Sequence, residues 1–74
     1  MTAPPKFPLR IIRRKQLEER TGLSRSSIYD RLSVSSPRFD PSFPRAIQLG
    51  PKAVGWVEAE IDAWLLNRMQ MNRV

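Results

Sequence analysis

The chain has 74 residues, 41% of them hydrophobic, and its thirteen Lys and Arg against seven Asp and Glu leave a net charge of +6. That length holds one domain, because a second unit of fewer than about 40 residues would need disulfides or a metal, and the chain contains neither Cys nor His. Thiolate metal sites, cysteine nucleophiles and Ser–His triads are thereby excluded, so neither enzymatic activity nor a metal or cofactor is expected.

In chain order, residues 1–8 hold three prolines and no apolar periodicity, and read as a flexible N-terminal arm ahead of a single domain at residues 9–74. Ile11 and Ile12 favour a brief strand. Residues 14–21 are good helix formers around Leu17, and Gly22 stops them as a left-handed cap would. Ser24 is an N-cap for a second helix over residues 24–32, in which Ile28 and Leu32 share one buried face and Ser26, Tyr29, Asp30 and Ser33 point away from it. Three prolines and four serines make residues 33–44 a loop, tethered to the core by Phe39 and Phe43. A hairpin follows at about 45–56, with Gly50-Pro51-Lys52 as its turn. A final helix over residues 57–71 carries the stripe Val57, Ile61, Trp64, Leu65, Leu66 and Met69, with Glu58, Glu60 and Asp62 placed to complement its dipole.

The fold expected is mainly α with a small β-hairpin wing, a winged helix-turn-helix. Two short helices about a Gly turn, locked by Leu17, Leu23, Ile28 and Leu32, leave the second helix protruding. Its N-terminal end is of a size to enter a DNA major groove. Charge supports that use. Residues 1–55 carry eleven basic and four acidic side chains, while residues 56–74 carry two and three. So basic a domain calls for an anionic partner.

The runs Thr21-Gly22-Leu23-Ser24-Arg25-Ser26-Ser27-Ile28-Tyr29 and Phe43-Pro44-Arg45-Ala46-Ile47-Gln48-Leu49-Gly50-Pro51-Lys52-Ala53-Val54-Gly55-Trp56 resemble the AlpA family. Glu58, Glu60, Ile61, Asp62, Ala63 and Trp64 behind them extend the resemblance, which covers roughly residues 10–68. The family consists of short prophage-type transcriptional regulators related in fold to MerR-like winged helices and to phage excisionases. The resemblance implies binding of duplex DNA and control of excision, or of integrase expression, in a mobile element. An integrase or recombinase then becomes a second expected partner, and the protein acts as a monomer or by cooperative assembly on DNA.

In the recognition helix, Arg25 is suited to a guanine edge or a phosphate, and Ser26, Ser27 and Tyr29 lie where base edges or phosphates would be met. Tyr29 has the alternative of leaning on the core rim, and Asp30 either accepts from a cytosine amine or pairs with a nearby Arg. Arg13, Arg14 and Lys15, with Arg45 and Lys52 on the wing, are the expected phosphate contacts. Trp56 and Trp64 sit at positions that favour core packing over base stacking. A different reading makes the chain a small adaptor that docks on an acidic protein, a recombinase or polymerase subunit, through the 39–43 loop and the end of the last helix. A membrane-surface helix does not fit, because the best amphipathic segment is the acidic-leaning tail. No apolar run reaches the roughly 20 residues of a membrane span, and the expected location is cytoplasmic, at the nucleoid.

Overall fold

The computed structural model describes residues 9–73; the arm expected at residues 1–8 lies outside them. Six elements follow in order: β1 (Ile11–Ile12), α1 (Arg14–Thr21), α2 (Arg25–Leu32), β2 (Ile47–Gly50), β3 (Ala53–Val57) and α3 (Glu58–Met71). The chain is therefore mainly helical with a β-hairpin wing between α2 and α3.

Local chemistry fixes the α1–α2 turn. Gly22 stands at φ 74° and its N–H donates to the Glu18 carbonyl at 2.8 Å. A side chain there would strain the left-handed backbone by about 1–2 kcal/mol. Thr21 Oγ1 donates to the Leu17 carbonyl at 2.7 Å and accepts from the Leu23 N–H at 3.2 Å, so it braces both sides of the glycine. The chain then re-enters helix at once. Ser24 Oγ caps α2 by accepting the Ser27 N–H at 3.2 Å, a contact worth about 1 kcal/mol.

The brief strand and the hairpin, expected as separate pieces, form one antiparallel sheet in the order β1-β3-β2. Ile11 lies opposite Val57 and Ile12 opposite Trp56, and the Glu58 N–H extends the ladder to the Arg10 carbonyl at 2.8 Å. Gly55 makes this closeness possible. A Cβ on it would fall 2.4 Å from Ile11 Cγ2 and 3.2 Å from Leu49 Cδ1.

The core is Ile12, Leu17, Ile28, Phe43, Trp56, Ile61 and Trp64, with Leu23, Leu32 and Leu65 packed against it. Both tryptophans are inside; the Trp56 Nε1 is buried with no hydrogen-bond partner among the described residues. The apolar stripe expected along α3 stops short. Leu66 and Met69 are 56% and 49% exposed, because Leu66 lies about 140° around the helix from Ile61 and Met69 lies two turns beyond it.

The 33–44 loop is tied down by Phe43 and by one carboxylate. The Phe43 ring meets Trp64 edge-on with centroids 4.9 Å apart, while Phe39 is only half-buried. Asp40 accepts from Ser42 Oγ at 2.6 Å, from the Ser42 N–H at 2.9 Å, from Trp64 Nε1 at 3.3 Å and from the Arg68 guanidinium. Burial pushes its pKa up, but these hydrogen bonds together outweigh burial and hold it lowered at about 2. On the opposite side Arg20 joins α1 to α3. Its Nε reaches Asp62 at 2.6 Å and its Nη1 reaches Glu58 at 3.6 Å, so the acidic turns of α3 serve as tertiary partners as well as dipole partners. The hydrogen bond to Asp62 raises the Arg20 pKa above its usual value, against desolvation.

Candidate nucleic-acid interface

The exposed end of α2 is held from beneath. Ile28 is fully buried, which fixes the rotation of the helix and turns Arg25, Ser26 and Tyr29 outward. Ser27 is different. It is half-buried, and its Oγ accepts a hydrogen bond from Ser24 Oγ at 3.1 Å, so it belongs to the cap as much as to the surface. The guanidinium of Arg25 stands 5.7 Å from the centre of the Tyr29 ring, within the range of a cation–π contact. Asp30 pairs with Arg38 at 3.3 Å, which offsets an anion at the edge of this surface. Arg31 donates to the Ser27 carbonyl at 3.2 Å along its own helix.

Beside α2 lies a cleft of about 320 Å³ lined by Arg13, Arg14, Lys15, Tyr29, Lys52 and Val54. The start of α1, the middle of α2 and the tip of the wing meet here, so side chains spread over 42 positions of sequence share one concave surface. Four of the five cations expected to contact phosphate are thus brought together. Arg14 is only partly available, since its Nη1 holds Glu18 at 2.5 Å one helical turn away. Arg13, Lys15 and Lys52 are exposed and make no ion pair among the described residues.

Arg45 is not part of this cleft. It stands before β2, beside Ile47, Glu60 and Trp64, in a separate groove of about 710 Å³. The hairpin begins at Ile47 rather than at residue 45, which leaves Arg45 at the base of the wing while Lys52 is at its tip. Val54, by contrast, lines the cleft without having been picked out by its residue type. Its position two residues before buried Trp56 puts both on one face of β3, but Val54 lies past the edge of the core and is 40% exposed.

The sorting of charge is physical. Arg10, Arg20 and Arg68 are matched to Glu58, Asp62 and Asp40 where elements pack, whereas Arg13, Lys15 and Lys52 in the cleft and Arg25 at the adjoining end of α2 have no acidic partner among the described residues. Unmatched charge on a concave surface focuses its field outward and favours a polyanion. Among the described residues no group of His, Cys, Asp or Glu is placed to hold a metal, and no helix is long and apolar enough to cross a membrane.

Comparison with known proteins identifies the family. The family model described as "Prophage CP4-57 regulatory protein (AlpA)" matches residues 10–69. The chain is 48% identical over 63 residues to the DNA-binding transcriptional activator AlpA of Escherichia coli (strain K12), covering 85% of this chain and 90% of that protein. It is 33% identical over 60 residues to the uncharacterized protein ORF88 of Enterobacteria phage P4, covering 81% of this chain and 61% of that one. No solved structure matches the chain. With the family model spanning both helices, the wing and most of α3, the chain belongs to the AlpA family of prophage regulatory proteins.

Proposed function

We propose that the protein is a sequence-specific, duplex-DNA-binding transcriptional regulator of a prophage or mobile element. The observation that carries this reading is the convergence of Arg13, Lys15 and Lys52, without an ion pair among the described residues, in one cleft beside the exposed N-terminal end of α2. In this reading α2 enters the major groove, with Arg25 and Ser26 toward base edges and Tyr29 at the boundary between helix and cleft. One phosphodiester strand passes through the cleft, against Arg13, Lys15 and Lys52, with Arg14 contributing after its share to Glu18 and Val54 forming an apolar wall. Ser27 acts through the cap. The 48% identity to a protein named a DNA-binding transcriptional activator supports the same reading.

A role in excision, with an integrase or recombinase as second partner, fits the phage origin of the other relative. It leaves open assembly on DNA as a monomer or as a cooperative row, and it is an activity of the nucleoid. The adaptor reading, through the 39–43 loop and the end of the last helix, loses one of its contacts, since Phe43 is 2% exposed and packed on Trp64.

The test is the salt dependence of duplex binding. A variant carrying Arg13→Ala, Lys15→Ala and Lys52→Ala together should lower the slope of log affinity against log salt by about 2 to 3, at unchanged folding. An unchanged slope would place the phosphate contacts elsewhere.

A further inference from the structure

The groove that holds Arg45 shares none of its lining residues with the cleft. Ile47 is registered opposite Gly55, and Gln48 opposite Val54. Cross-strand neighbours share a face and successive residues alternate, so Ile47 and Val54 point to opposite sides. Leu49 and Ile11 join Ile47 on its side, since both approach the position a Gly55 side chain would take. A ligand filling the cleft therefore leaves this second face open.

Three features of that face call for a strand. In the order β1-β3-β2 the outer edge of β2 has no strand beside it among the described residues, so its outward N–H and C=O groups are free to pair. Its sequence, Ile-Gln-Leu-Gly, carries no charge within the strand, and the usual guards stand only around it, as Pro44-Arg45 and Pro51-Lys52 at its ends and a register irregularity between Gln48 and Gly50. Ile47 and Leu49 are 41% and 48% exposed, and the groove continues from Ile47 over Phe43 and Ala63 to Trp64.

Charge selects the occupant. Arg45 at the start of β2 and Lys52 just past its end are exposed and make no ion pair among the described residues. A second copy pairing antiparallel about Gln48 would bring Arg45 of each chain beside Pro51 and Lys52 of the other, a like-charge meeting at both ends. A segment with a carboxylate at its end meets attraction at the same place. Glu60, across the groove on α3, is exposed and unpaired too. It repels a carboxylate placed against the helix and so directs the acidic end to the strand side.

We propose that the edge of β2 and the adjoining groove are a docking site for an extended, acid-ended segment of another protein, which adds as a fourth strand and sets its carboxylate on Arg45. This site does not depend on the DNA reading of the cleft, with which it shares no lining residue.

The experiment uses the full chain, isotope-labelled for amide NMR, with two probe peptides, acetyl-Glu-Val-Thr-Val-Thr-Val-amide and the same peptide with Lys in place of Glu. The Glu peptide is expected to shift the amides of residues 46–50 and 63–67, to bind about tenfold more tightly than the Lys peptide, and to lose that advantage to the Lys peptide in Arg45→Glu. Arg45 is exposed and makes no ion pair among the described residues, and the spectrum itself reports whether the variant is folded. The proposal is overturned if neither peptide shifts these amides at about 1 mM, or if both bind equally. It is also overturned if duplex DNA moves the amides of 45–47, which would return Arg45 to the nucleic acid, or if the same amides move with protein concentration alone, which would make the occupant a second copy.

Discussion

Arg25 and Lys52 stand on the same side of the molecule but should fail differently. Arg25 is at the first turn of α2 with Tyr29 beneath its guanidinium. If it forms a bidentate contact with a base, Arg25→Ala should cost about 1–3 kcal/mol on the specific site and relax selectivity at one position. Lys52 is on the turn of the wing, where its flexible ammonium meets phosphate as a point charge. Lys52→Ala should weaken all duplexes alike and reduce the salt slope by about 1. Titrations of both variants with one specific and one scrambled duplex separate the two roles; equal losses on both duplexes for Arg25→Ala would remove it from base reading. Single residues were also where sequence was most informative. Gly22 and Ser24 announce their caps through chemistry confined to neighbouring turns, so the α1–α2 junction was readable. Arg45 was harder to place, because whether it stands on the wing or before it depends on where β2 begins.

At the scale of elements, the wing and the long loop each include a contact that a single substitution tests. Gly55 lets β1 and Leu49 close over β3, and a methyl group there meets Ile11 at 2.4 Å. Gly55→Ala should destabilise the domain by about 1–3 kcal/mol, read as a lower denaturation midpoint with an unchanged slope. The loop hangs on Asp40, whose carboxylate is held at about 2, below its usual value, by Ser42, Arg68 and Trp64 against the opposing effect of burial. A group with a lowered folded pKa stabilises above its unfolded pKa and loses that contribution as pH falls through the folded one. The difference in thermal midpoint between the wild type and Asp40→Asn should therefore be full at pH above about 5 and vanish as pH approaches 2. A difference that stays constant across that range would mean that the carboxylate's charge is not what holds the loop. Nothing local in the sequence marks this contact. Asp40 and Trp64 are 24 positions apart, Arg68 is 28 away, and an Asp in a Pro- and Ser-rich loop reads as turn chemistry. Element types, by contrast, follow from periodicity, and only the stripe on α3 reached too far, since periodicity reports which residues are apolar and not where the body of the protein ends.

For the whole molecule, the central feature is that three unmatched cations, Arg13, Lys15 and Lys52, share one cleft. Ion pairs tie α1, α3 and the loop together, and of the cations left over Arg13, Lys15 and Lys52 gather where α1, α2 and the wing tip meet. The net charge of +6 was legible at once, but its concentration in a cleft was not, because the chain must fold before Lys15 and Lys52 share a surface. A basic surface alone binds any nucleic acid and releases it as salt rises. A helix end with Arg25, Ser26 and Tyr29 beside that surface should add discrimination among sequences. The measurement that bears most directly on this is selection of the purified protein against a random duplex library at about 150 mM salt. The account predicts an enriched motif of the length one helix spans in the major groove, lost in Arg25→Ala and kept, with lower affinity, in Lys52→Ala. A pool that remains random after selection, with binding that disappears as salt is raised, would contradict it and reduce α2 to a packing element.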